Sequence, residues 1–208
     1  MKVKNQWALW TPMVLGVILL SVWGIRVYQL HPSPRFLKPE MKAPDFVFTD
    51  QGGKAFSSFE LQGKVWVADF IFTRCAGTCP MLSSHMRQLA KQWQGNGLLR
   101  LVTFTVDPDY DKVPVMAQYA QEFGADPTQW TFLTGKKKDL YAMIREGFKL
   151  SAAPDPQAIP GFEFIHTVRM VLVDGQGKIR GLYDGDDETD LDNLKQDLGV
   201  LMKTGGKG

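Results

Sequence analysis

Apolar residues fall along this chain first as one unbroken block and then as short runs alternating with helical stripes. Residues 7–25 contain no charge, and residues 13–20 are apolar throughout. Nineteen helical residues rise about 28 Å, roughly one hydrocarbon core. Trp7 and Trp10 near one end, and Trp23 and Tyr28 near the other, suit two interfacial belts. The block ends in Val22-Trp23-Gly24-Ile25-Arg26, without the small-x-small pattern of a cleaved signal, and it lacks the polar face of a core helix. The pattern therefore predicts an uncleaved N-terminal transmembrane helix within residues 1–28. Lys2 and Lys4 on one side nearly balance Arg26, Arg35 and Lys38 on the other, so counting positive charges does not orient it. Residues 29–42 hold Pro32, Pro34 and Pro39 and read as a tether.

The remainder, residues 43–203, alternates strand and helix signals, and residues 204–208 are expected to form a flexible tail. Residues 46–49 and 54–57 flank Asp50-Gln51-Gly52-Gly53 as a short hairpin. Residues 65–72 form a nearly continuous apolar run, the mark of a strand covered on both faces. Leu82, Met86, Leu89, Ala90 and Trp93 make one helical stripe, stopped by Gly95-Asn96-Gly97. A strand at 98–106, a helix carrying Val115, Met116, Tyr119, Ala120 and Phe123, a strand at 130–133 and a helix at 137–148 follow. Residues 167–173 and 178–183 flank the turn Asp174-Gly175-Gln176-Gly177, and Thr189 is expected to cap a last helix bearing Leu191, Leu194, Leu198 and Leu201. This order predicts an α/β fold, a mixed sheet between helical layers.

Composition narrows the choices further. The 208 residues are 44% hydrophobic and 22% charged, which suits one ordinary domain and excludes a disordered chain. Lys and Arg number 24 against 22 Asp and Glu; with no basic block, nucleic-acid binding has no support. Two cysteines exclude a disulfide framework.

Both cysteines lie in Phe72-Thr73-Arg74-Cys75-Ala76-Gly77-Thr78-Cys79-Pro80, between the first long strand and its helix. That placement points by analogy to a thioredoxin-like fold. Pro80 suits the first helical position, which puts Cys79 at or beside the N-cap and Cys75 in the loop before it. The helix dipole and Arg74 are expected to lower a thiol pKa. The two sulfurs can then close a structural or redox-active disulfide or bind one soft metal ion. A second residue of interest is His166, at the start of a late strand that should face the cysteine loop.

The Cys-x3-Cys-Pro stretch, Val106-Asp107-Pro108-x2-Asp111, Leu133-Thr134-Gly135, and His166 ahead of Val171-Leu172-Val173-Asp174-Gly175-Gln176-Gly177 together resemble the Sco/SenC family. The likeness runs from about Ala43 to Leu201. It implies a thioredoxin-like domain on a membrane anchor, copper held by Cys75, Cys79 and His166, and a role in assembling the copper site of cytochrome c oxidase. Ala76-Gly77-Thr78 departs from the proline and acidic residue that many members carry there, and Thr167 stands where serine is frequent.

Other candidates read as structural. Met86 lies on the core stripe, whereas Met81, one residue beyond the site, is an auxiliary thioether candidate. His85 lies off the stripe and is expected to be solvated. Asp107 and Asp111 suit loop hydrogen bonding, and Asp184, Asp186, Asp187, Glu188 and Asp190 suit a solvated helix start. Two functions stay in play: the copper metallochaperone serving the oxidase subunit that the resemblance implies, or a thiol–disulfide oxidoreductase or thiol peroxidase acting on exported proteins. Either places the domain on the extracytoplasmic side of the membrane, where thiols can oxidise.

Overall fold

The computed structural model describes residues 16, 17, 19–21, 41–150 and 168–206. The chain divides into two units, Met1–Pro34 and Arg35–Gly208. In the first, the described residues are helical, and the Ser21 hydroxyl donates to the Val17 carbonyl at 2.7 Å. Among the described residues no helix is long and apolar enough to cross a membrane. The anchor expected within residues 1–28 lies almost wholly outside them, as does the tether up to residue 40.

The second unit is built on a seven-stranded mixed sheet. Its strands are β1 (Val47–Asp50), β2 (Ala55–Ser57), β3 (Val65–Ile71), β4 (Leu99–Thr105), β5 (Trp130–Thr134), β6 (Arg169–Val173) and β7 (Ile179–Asp184). They lie in the order β2-β1-β5-β4-β3-β6-β7. The central β3, β4 and β5 are parallel, with Ile71 beside Thr105 and Phe104 beside Leu133. β1 pairs antiparallel with β2 and β5, and β6 antiparallel with β3 and β7. Both expected hairpins are present. Among the described residues the unit also carries the α-helices α1 (Thr78–Gln92), α2 (Val113–Glu122), α3 (Lys137–Ala142) and α4 (Glu188–Lys203).

Every residue of β3 is buried, as its continuous apolar run demands. Val65, Val67 and Ile71 pack with Leu82, Met86 and Leu89 of α1, Met116 of α2, and Leu194 and Leu198 of α4. Trp66, Ala68 and Phe70 pack on the opposite layer with Leu140 and Ile144. Period-two alternation thus feeds two cores from one strand. Phe104 sits among Phe46, Phe48, Phe70 and Phe148, with ring centroids 5.1–6.2 Å apart, close to the preferred range for aromatic pairs.

Two local expectations change. The helix expected over 137–148 is α-helical only to Ala142, and Met143–Gly147 continues as a π-helical turn. The cap of α4 is Asp187, not Thr189: the Asp187 carboxylate accepts from the Asp190 N–H at 3.0 Å. Aspartate fills this role as well as a hydroxyl does and adds charge at the positive end of the helix.

This topology places the chemistry. The parallel strands end at one edge of the sheet, so the segment leaving β3 lies beside the segment leaving β4. β6 runs the other way, with Val171 opposite Ala68. Its start, at Val168 and Arg169, therefore stands at that same edge.

Candidate functional site

Cys75 and Cys79 are free thiols at this edge. After β3 the chain turns, with the Cys75 N–H donating to the Phe72 carbonyl at 3.1 Å. α1 is capped at Gly77, so it begins two residues earlier than expected and Cys79 is its second residue, with Pro80 its third. Proline is tolerated there because no N–H of the first turn has an intrahelical partner. Cys79 faces the core at 5% exposure, while Cys75 is half-buried.

The two thiols differ in acidity. Burial opposes ionisation of Cys75. The backbone N–H groups of Cys79 and Gly77, the Cys79 thiol and the Thr78 hydroxyl outweigh it, and Cys75 falls below its ordinary value. Burial pushes Cys79 up to about 12, reinforced by its bond to Cys75 and by the nearby charges of Cys75 and Asp69. Arg74, expected to lower a thiol, is not the cause: its guanidinium engages the Asp107 carboxylate at 2.6 Å and lies over the Tyr110 ring at 4.2 Å. Sequence alone predicts thiolates that form readily; the geometry gives one that does and one that does not. Iodoacetamide at pH 8 should therefore modify Cys75 more than tenfold faster than Cys79, since the thiolate is the reactive form. Peptide mass spectrometry over time measures both rates, and equal rates would refute this asymmetry.

Beneath the pair lies a buried polar group that the sequence analysis did not single out. Asp69, in the middle of β3, is fully buried. Its Oδ1 accepts from the Thr103 hydroxyl at 2.6 Å, and its Oδ2 has no hydrogen-bond partner. Burial raises Asp69 to about 7, against the opposing bond from Thr103. Trp130 Nε1 donates to the same Thr103 oxygen at 2.9 Å. Tyr119, bonded to Ser83 at 3.0 Å, is raised by burial and then by the charges of Asp69 and Cys79. One signal could have revealed Asp69: it is the single charge in an apolar run whose two faces are both covered.

Asp107 and Asp111 do bind loop groups, as expected. Asp111 accepts from the Thr73 N–H at 3.1 Å, from the Thr73 hydroxyl and from the Thr105 hydroxyl at 2.5 Å. Met86 is buried in the core, and Met81 is half-buried in the first turn of α1. His85 is half-buried, with its pKa lowered by burial and by Lys195. Asp184, Asp187 and Asp190 are engaged in local bonds around the start of α4. His166 lies outside the described residues. Among those residues, no three His, Cys, Asp or Glu side chains group closely enough to hold a metal ion.

A pair of free thiols, one in the loop and one in the first turn of a helix, at the end of a central strand of a mixed sheet, defines a thioredoxin-like thiol protein. More narrowly, the chain belongs to the SCO1/SenC family, whose sequence model matches residues 36–202. It is 32% identical over 155 residues to the SCO1 protein homolog of Bacillus subtilis strain 168, covering 74% of this chain and 79% of that protein. A SCO1/SenC family lipoprotein from Bacillus anthracis strain Ames superposes with a TM-score of 0.70 at 32% identity, over 80% of this chain and 99% of that one. BsSco, described as a Sco-family cytochrome c oxidase assembly protein with a disulfide switch, gives 0.66 at 30% identity, over 80% and 96%. ScoI of Bradyrhizobium japonicum, solved with copper bound, shares the fold at 0.61 and 23% identity, over 74% and 98%.

Proposed function

We propose that this chain is a copper metallochaperone that binds copper through Cys75, Cys79 and His166 and assists assembly of the copper site of cytochrome c oxidase. Residues 1–28 anchor it in the membrane and residues 43–203 form the copper-binding domain on the extracytoplasmic side. The observation that carries this reading is the sulfur pair itself. Two thiols meet where N–H groups from the helix start stabilise negative charge on one of them. Copper(I) is soft and tolerates low coordination numbers, so two thiolates and one imidazole suit it, whereas zinc would want a fourth ligand. The start of β6, three residues beyond His166 in sequence, stands at the edge where the thiols lie. Family membership and the copper-bound relatives support the cargo, and the lipoprotein relative supports a membrane tether.

A second reading, a thiol–disulfide oxidoreductase acting on exported proteins, draws on the same pair of free thiols and on the disulfide switch described for BsSco. Anaerobic copper(I) titration of the reduced chain separates the two. The parent should bind about one equivalent, and His166→Ala should bind at least tenfold more weakly, a loss on the scale of removing one supporting group from a metal site. The same variant should still form the Cys75–Cys79 disulfide. Undiminished affinity in His166→Ala would leave the two thiols without the imidazole, and absence of copper binding in the parent would hand first place to the oxidoreductase.

A further inference from the structure

Of the two sulfurs, Cys79 is fixed by α1, whose first turn packs on the core. Cys75 is carried by a loop in which Arg74, Ala76, Gly77 and Thr78 are all exposed. Cys75 itself packs only partly against that core, so polar contacts of its loop share in setting its position. The structure offers a clasp two residues before it. Asp111, fully buried, sits in the segment that follows β4, and its carboxylate accepts both the backbone N–H and the hydroxyl of Thr73. The same carboxylate is steadied by the Thr105 hydroxyl at 2.5 Å, and the Thr105 oxygen in turn accepts the Asp107 N–H at 2.9 Å. The Asp111 N–H donates to the Asp107 carbonyl at 2.8 Å, closing the turn. The geometry points to Asp111 and Thr73 as positioning residues that fix the loop carrying Cys75 and so favour the dithiol over the disulfide.

Three bonds on one fully buried carboxylate make a rigid support, because each lost bond leaves that buried group less well satisfied. Thr73 is the link: its two donors reach Asp111 while its main chain leads directly into Arg74 and Cys75. The clasp pins the loop at Thr73, two residues before Cys75, so bringing the Cys75 sulfur to bonding distance of Cys79 has to move the loop against it. Removing it lets the loop move and lowers the cost of closing the disulfide. The inference rests on the reading of Cys75 and Cys79 as the working pair, but its test does not require copper.

The test is equilibration of the reduced full chain with glutathione disulfide, followed by quantifying the products. In that exchange two protein thiols become one disulfide and one glutathione disulfide becomes two glutathione thiols, so electrons and protons balance. Thr73→Val removes the hydroxyl donor at nearly constant shape, and Asp111→Asn weakens the acceptor. Each should raise the equilibrium constant for the protein disulfide about tenfold. Thr73→Ser keeps both donors and should stay within twofold of the parent. The double variant Thr73→Val/Asp111→Asn should shift no further than the larger single shift, because both substitutions break one clasp. An unchanged constant in Thr73→Val, or a Thr73→Ser shift as large as that of Thr73→Val, would overturn the proposal. Should Asp111→Asn fail to fold, Thr73→Val against Thr73→Ser decides alone. A parent that binds no copper would refute the metallochaperone reading and leave this measurement intact.

Discussion

Cys79→Ser should cost the reduced chain at least a hundredfold in copper(I) affinity while leaving Cys75 almost as reactive as before. The two effects separate because Cys79 has two jobs. Toward copper it would be a thiolate, and a serine oxygen is a hard, protonated donor that a soft ion does not accept in exchange. Toward Cys75 it is a hydrogen-bond donor, one of several that hold that sulfur below its ordinary acidity. A hydroxyl can supply that bond. The expected loss exceeds the 10–100-fold typical of removing a group that merely supports a ligand. Competition with a copper(I) chelator measures the first quantity, and alkylation of Cys75 at pH 8 measures the second, which should stay within about threefold of the parent. If Cys79 ligates copper, binding should also strengthen with pH in the parent, since the proton held by Cys79, whose pKa is pushed up to about 12, would have to leave. Retention of parental affinity in Cys79→Ser would place the copper elsewhere on the chain.

The parts of this site that were legible in the sequence share one property: their residue type and local spacing carry the information. Cys75 and Cys79 announce themselves through a Cys-x3-Cys-Pro stretch after an apolar run. β3 was legible because burial on both faces leaves no room for polar alternation, and the structure buries all seven of its residues. Met86 was assigned to the core because it shares a helical stripe with Leu82 and Leu89, and it is fully buried. The acidity of the two thiols was not legible. It depends on which sulfur the helix start buries and which one its N–H groups reach, and a shift of two residues in the start of α1 decides that. Arg74 looked like the activating charge because it neighbours Cys75, yet Asp107, 33 residues further on, takes up its guanidinium. The bond of Thr73 to Asp111 likewise spans 38 residues. Each depends on β3 and β4 ending side by side, a pairing that local patterns do not encode.

Asp69 should make the stability of the reduced domain fall as the pH rises from 4 to 8, and Asp69→Asn should remove most of that fall. In the unfolded chain this carboxyl has an ordinary pKa of 3.8, while in the folded protein burial holds it at about 7. Below pH 3.8 both states bind the proton and Asp69 costs folding nothing. Between the two values the unfolded chain releases its proton and the folded one keeps it, so each step upward in pH favours unfolding. The cost is complete once the pH passes the folded value. At about 1.4 kcal/mol per pH unit, the interval comes to about 4 kcal/mol, a large share of a typical domain's stability. Asparagine keeps an acceptor for the Thr103 hydroxyl but cannot ionise. It also places an amide NH2 where Oδ2 now lacks a partner, at about 1–3 kcal/mol. The variant should therefore be the less stable protein near pH 4 and the more stable one near pH 8. Urea unfolding of both proteins at pH 4, 5.5 and 8 tests the crossing, and subtracting one curve from the other cancels the titrations they share, including those of His85 and Asp111. Parallel curves across this range would mean that Asp69 keeps an ordinary acidity despite its burial.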